Sequence, residues 1–116
     1  MNSVAMRLEG KTGAYVVRLP DKITLTSLKI WGEELFRAAT ASPTAITLLI
    51  DSNTHDFESI EAMRYLRDLL STEPVASRLA RVAFVAQARF RQAEVVSAQE
   101  AYFNNIEDAV RWLETA

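Results

Sequence analysis

Residues 45–70 read AITLLIDSNTHDFESIEAMRYLRDLL, and the interpretation of this stretch decides the fold. Ala45 to Ile50 is a nearly all-apolar run with β-branched members, the pattern of a strand covered on both faces. Asp51 ends the run, because a carboxylate is costly to bury without a partner. Residues 52–59, SNTHDFES, form a polar loop. Beyond it Ile60, Met63, Leu66, Arg67 and Leu70 recur at helical spacing, which predicts an amphipathic helix with its aliphatic members on one face. In open α/β sheets, binding and chemistry gather just beyond the carboxyl ends of such strands. Asp51 to Ser59 is therefore where function is sought first.

Towards the N-terminus, Ser3 to Glu9 alternates apolar and polar residues, as a half-buried strand does. Gly10-Lys11-Thr12-Gly13 predicts a tight turn into a second strand, Ala14 to Leu19, so the chain opens with an antiparallel hairpin closed by Pro20-Asp21. Thr24 or Thr26 caps a helix whose apolar stripe is Leu28, Trp31, Leu35 and Ala39. Gly32 weakens that helix by about 1 kcal/mol relative to alanine, a cost that marks a close packing contact. Ser42-Pro43 ends it, since the residue before proline disfavours helical angles.

Towards the C-terminus, Thr72-Glu73-Pro74 breaks the second helix, and Arg81 to Ala86 (RVAFVA) is a further short strand. Ala88 to Glu100 is expected to be helical from the spacing of Phe90, Ala93 and Val96, although Val95-Val96 also suits extended chain. Ala101-Tyr102-Phe103 is a brief last strand. Asn105 caps a final helix with Glu107 and Asp108 in its first turn, where the helix dipole favours acids, and with a stripe of Ile106, Ala109, Val110 and Leu113. The order β-β-α-β-α-β-(α)-β-α predicts one small α/β domain over residues 1–116: a mixed, mostly parallel five-stranded sheet with flanking helices.

Composition narrows the function classes. A chain of 116 residues has room for one core, and its lack of cysteine excludes disulfides, thiolate metal sites and a cysteine nucleophile. A formal charge of -2 argues against a dedicated nucleic-acid binder, which usually carries a basic face. The opening residues MNSVAMRLEG lack the apolar core of a signal peptide, and no apolar run approaches the ~20 residues of a membrane helix. A cytoplasmic protein without an integral membrane segment is expected.

Three stretches resemble one family: TLLIDSNTHDF at 47–57, RVAFVA at 81–86 and AYFNNIEDAVRWL at 101–113. With the element order, they make the chain similar to the STAS domain, and within it to the SpoIIAA-like group, which is related in shape to Sec14-type lipid carriers. The resemblance implies a bacterial-type, regulatory, protein-binding module. Members that antagonise anti-sigma factors carry an Asp-Ser-Ser-Gly-type motif whose serine is phosphorylated. Here Phe57-Glu58-Ser59-Ile60-Glu61-Ala62 stands in that place, with Ile60 near the switch position and Ser59 one residue off, so the phospho-switch does not carry over.

The candidate chemistry is sparse. Ser59 is read first as a helix N-cap, worth about 1 kcal/mol. A phosphate there would meet Asp56, Glu58 and Glu61. His55 beside Asp51, Asp56 and Ser59 can be drawn as a triad or a metal site, but no nucleophile elbow or spaced ligand motif accompanies it. Gly10-Lys11-Thr12 resembles the tail of a P-loop, yet it lacks the earlier glycine and leads into a strand. Arg78, Arg81, Arg89 and Arg91 are read as ordinary surface charge in preference to a basic patch. Trp31, Tyr65, Phe90, Tyr102, Phe103 and Trp112 are read as core in preference to a ligand cavity.

The expectation is a non-enzymatic interaction module with no catalytic residues, metal or cofactor. Its partner-binding residues would be Asp51, Asn53, His55, Asp56, Ser59, Glu61, Arg64 and Tyr65. The partner would be another protein, with a homodimer as one form of that. The alternative is a carrier or sensor of a small apolar or lipid-like ligand, which calls for an apolar pocket of roughly 300 Å³ or more.

Overall fold

The computed structural model describes residues 5–9, 14–19, 22–41, 45–52, 56–86 and 91–115. The first half runs β1 (Ala5–Glu9), β2 (Ala14–Arg18), β3 (Lys22–Ile23), α1 (Leu25–Ala41), β4 (Ile46–Asp51) and β5 (Asp56–Phe57). The second runs α2 (Ile60–Ser71), α3 (Val75–Arg78), β6 (Leu79–Val85), β7 (Glu94–Val95), β8 (Glu100–Phe103) and α4 (Ile106–Glu114). The main strands lie in the order β1-β2-β4-β6-β8. β1 is antiparallel to β2, and β2, β4, β6 and β8 are mutually parallel. This is the mixed, mostly parallel five-stranded frame that the pattern predicts. The two-residue β7 extends its edge antiparallel to β8, while β3 and β5 form a separate short parallel pair.

β4 lies at the centre because it has no polar face. Leu48 and Ile50 are fully buried, and Leu49 is 1% exposed. The strand period of two sends Leu48, Ile50, Val82 and Phe84 to one side of the sheet, where Leu28, Trp31, Leu35 and Ala39 of α1 and Ala62 and Leu66 of α2 cover them. It sends Leu49, Ala83, Val85, Ala101 and Phe103 to the other side, against Ala109 and Leu113 of α4. Thr24 caps α1, its Oγ1 accepting from the Ser27 N–H at 3.1 Å. Asn105 caps α4, accepting from the Asp108 N–H at 2.8 Å. Arg81 Nη1 donates to the Trp112 carbonyl at 2.6 Å and to Thr115 Oγ1 at 2.8 Å, with the guanidinium 4.6 Å from the Trp112 ring centre. Arg81 thus ties the end of α4 to β6 instead of joining a surface patch. Arg89 and the turns expected at 10–13, 20–21 and 42–43 lie outside the described residues.

Two expectations are corrected. Residues 91–100 form no helix; β7 and β8 make a hairpin. The β-branched Val95-Val96 pair favours extended chain. Ser97 closes the turn, its Oγ accepting from the N–H groups of Gln99 and Glu100, both at 3.1 Å. The roll of α2 also differs from its apolar stripe. Ile60 is 67% exposed and Met63 49%, while Ala62 and Leu66 are buried and Tyr65 and Leu69 pack partly buried against the core. The cause is Gly32. A Cβ built there would stand 2.9 Å from the Tyr65 hydroxyl and 3.4 Å from Leu69 Cδ2, so the bare glycine is the notch that admits them.

Gly32→Ala is expected to destabilise, because overpacking at about 1–3 kcal/mol outweighs the roughly 1 kcal/mol gain in helix propensity. In the Tyr65→Phe background, which lacks the obstructing hydroxyl, the same change is expected to cost less or to stabilise. Denaturant unfolding of the four proteins checks this, and strict additivity would refute it.

Candidate binding surface along the second helix

The site begins where β4 ends. The Leu19 N–H donates to the Asp51 carbonyl at 2.9 Å, and Arg18 Nε stands 3.9 Å from Asp51 Oδ2. Ser52 is fully buried; its N–H and its hydroxyl both donate to the Val85 carbonyl, at 2.8 and 3.1 Å. It locks the ends of β4 and β6 together and offers no contact surface. The chain returns through β5, which pairs with β3, and Lys22 Nζ meets Asp56 Oδ2 at 3.1 Å. The Glu58 N–H then donates to the Ile23 carbonyl at 2.9 Å. Its carboxylate accepts from the Leu25 N–H at 2.8 Å, placing an acid at the start of α1, where unpaired N–H groups and the helix dipole favour it.

Ser59 is the N-cap of α2, its Oγ accepting from the Ala62 N–H at 3.1 Å. Of the residues expected to bind a partner, Asp51, Asp56 and Ser59 thus hold structural contacts. Asn53 and His55 lie outside the described residues, and with them the triad and metal arrangements drawn around His55. Glu61 and Arg64 are exposed on α2. Tyr65 is half-buried, with its hydroxyl beside Gly32 of α1. The exposed Ile60 and Met63, three residues apart, are neighbours on the helix surface and make an apolar patch beside Glu61 and Arg64.

Past Met63 the helix borders a half-open groove of about 300 Å³. Leu66 and Leu70 of α2 and Val82 and Phe84 of β6 give it an apolar floor, and Arg67, Ser71, Ser97, Gln99 and Glu100 line its polar parts. Tyr102 stacks on Phe84 with ring centres 5.1 Å apart, and its hydroxyl donates to Glu100 Oε2 at 2.6 Å. The readings above place Tyr102 among core aromatics and leave Glu100 and Arg67 aside as site residues. Two signals were present: Glu100 and Tyr102 share a strand face at a spacing of two, and Arg67 interrupts an otherwise aliphatic helical stripe.

Burial, the hydrogen bond to Glu100 and that carboxylate's charge push the Tyr102 hydroxyl up from 10.0 to about 12, against the opposing pull of Arg67. The unfolded chain binds fewer protons between those values, so the associated stability is intact below pH 10.0 and is lost as pH rises towards about 12. The stability of the wild type relative to Tyr102→Phe is therefore expected to fall across that window. Denaturant unfolding at several alkaline pH values measures it, and a constant difference would refute it.

No family model and no curated protein matches the chain. A solved structure does: an uncharacterised protein of the DUF3478 family from Shewanella loihica, described as having a SpoIIAA-like fold. It aligns with a TM-score of 0.68 over 97% of this chain and 95% of that one, at 18% identity. At that identity the likeness concerns the path of the backbone. The chain has a SpoIIAA-like fold.

Proposed function

We propose that the chain is a non-enzymatic interaction module that recognises another protein through the first turns of α2. The observation that carries this reading is the outward placement of Ile60 and Met63 at 67% and 49% exposure, flanked by Glu61 and Arg64. Burying a large aliphatic side chain is worth roughly 1.5–3 kcal/mol, and most of that is forgone here on two adjacent residues. An apolar centre with a charged rim and an arginine is the usual make-up of a contact hot spot. The hydroxyls beside it support a non-catalytic reading, since Ser59 serves the helix cap and Ser52 serves the Val85 carbonyl. A regulatory role is part of this proposal, by analogy with other proteins of SpoIIAA-like fold, and a cytoplasmic setting would suit it. Among the described residues, no helix is long and apolar enough to cross a membrane.

A second reading is favoured by the groove beside this patch: a carrier or sensor of a small apolar ligand. At about 300 Å³ the groove reaches the lower end of the range of ligand pockets. Met63 belongs to both the patch and the groove, so a bound ligand would alter the surface a partner meets.

Affinity capture from the host separates the two readings. The wild type is expected to retain a protein partner, and the folded Ile60→Ser/Arg64→Ala variant to lose it. Equal capture by both proteins would overturn the surface assignment. Native mass spectrometry of the gently purified chain tests the second reading, which requires an added non-covalent mass.

A further inference from the structure

We propose that the patch at the start of α2 takes a second copy of this chain, the two α2 helices lying antiparallel about a two-fold axis between them. The inference rests on the interaction reading above and names the partner.

Self-complementarity carries it. Ala62 and Leu66 of α2 are buried in the core, so the opposite side of the helix meets solvent. At about 100° per residue, Met63 lies about 60° to one side of Ile60, and Arg64 and Glu61 lie about 40° and about 100° to the other. Acid and base thus share one flank of an apolar pair. A two-fold axis in the plane of contact and perpendicular to α2 keeps each flank on its own side and reverses the order along the helix. Glu61 then stands opposite Arg64 of the second copy, and Arg64 opposite Glu61 of the second copy, so one interaction is made twice. The midpoint of Ile60 and Met63 and the midpoint of Glu61 and Arg64 lie about 1.5 Å apart along the helix, so a single axis joins the apolar pairs and aligns both charge pairs. A parallel arrangement would set Glu61 against Glu61 and Arg64 against Arg64. Among the described residues neither of these side chains forms an ion pair. The patch is small beside the ~800 Å² that each partner of a standard interface buries, so the association is weak and follows concentration.

Sedimentation of the full chain up to about 1 mM tests the assignment, and the wild type is expected to dimerise reversibly. Glu61→Arg and Arg64→Glu should each weaken the dimer about tenfold or more, because each turns both attractive pairs repulsive. An equimolar mixture of the two variants should recover a heterodimer of near wild-type strength, since both pairs then join unlike charges. Thermal unfolding verifies that each variant is folded. A wild type that stays monomeric would overturn the proposal. So would a dimer indifferent to both reversals, or one that they weaken without rescue in the mixture. If a monomeric chain captures a different protein that the Ile60→Ser/Arg64→Ala variant loses, the second copy is excluded and the interaction surface stands; equal capture by both removes the surface as well.

Discussion

The contact between Gly32 of α1 and the Tyr65 hydroxyl of α2 sets the arrangement on which the candidate site depends. A Cβ at position 32 would stand 2.9 Å from that oxygen, so the bare glycine leaves room for the Tyr65 side chain between the two helices. With Tyr65 and Leu69 seated in the notch, α2 is rolled so that Ile60 and Met63 face outward. The same roll turns Arg67 and Leu70 towards the open side of β6 and β8, where the groove lies.

The sheet supplies the rigid base for this arrangement. β4 is buried on both faces, and Ser52 continues its alignment one residue further by donating twice to the Val85 carbonyl. From there the chain is guided back by the short β3–β5 pair and by Glu58, which binds Ile23 through its N–H and the start of α1 through its carboxylate. The Lys22–Asp56 pair is exposed and adds little, since exposed ion pairs contribute about 1 kcal/mol or less. The backbone bonds and the Glu58 cap therefore do most to hold the entry to α2. Polar residues that resemble an active site in a linear reading, Asp51 and Ser59 among them, are consumed in building this edge.

Electrostatics and burial make the groove asymmetric. Burial and Glu100 extend the neutrality of Tyr102 to higher pH, and the ring lies nearly parallel to Phe84 as part of the wall. The hairpin that brings Glu100 and Tyr102 there depends on Ser97, which gathers two N–H groups in the turn before β8. The groove is thus framed by a helix on one side and a hairpin on the other, two elements far apart in the chain.

Local pattern alone determined most of the architecture. The apolar run at 45–50, the stripe of Leu28, Trp31, Leu35 and Ala39, and the caps Ser59 and Asn105 each reflect interactions within a few residues, and the structure places each as expected. The pattern failed at 91–100, where spacing compatible with a helix competed with two β-branched valines, and pairing with β8 decided the outcome. It failed again at α2, whose residues 60–63–66–70 and 62–65–66–69 offer two overlapping apolar faces. Choosing between them required the Gly32 notch, more than thirty positions away from Tyr65 in the chain. The patch and the groove follow from that choice. Strand and helix positions come from short-range periodicity, whereas the exposed face of a helix is settled only by what packs behind it.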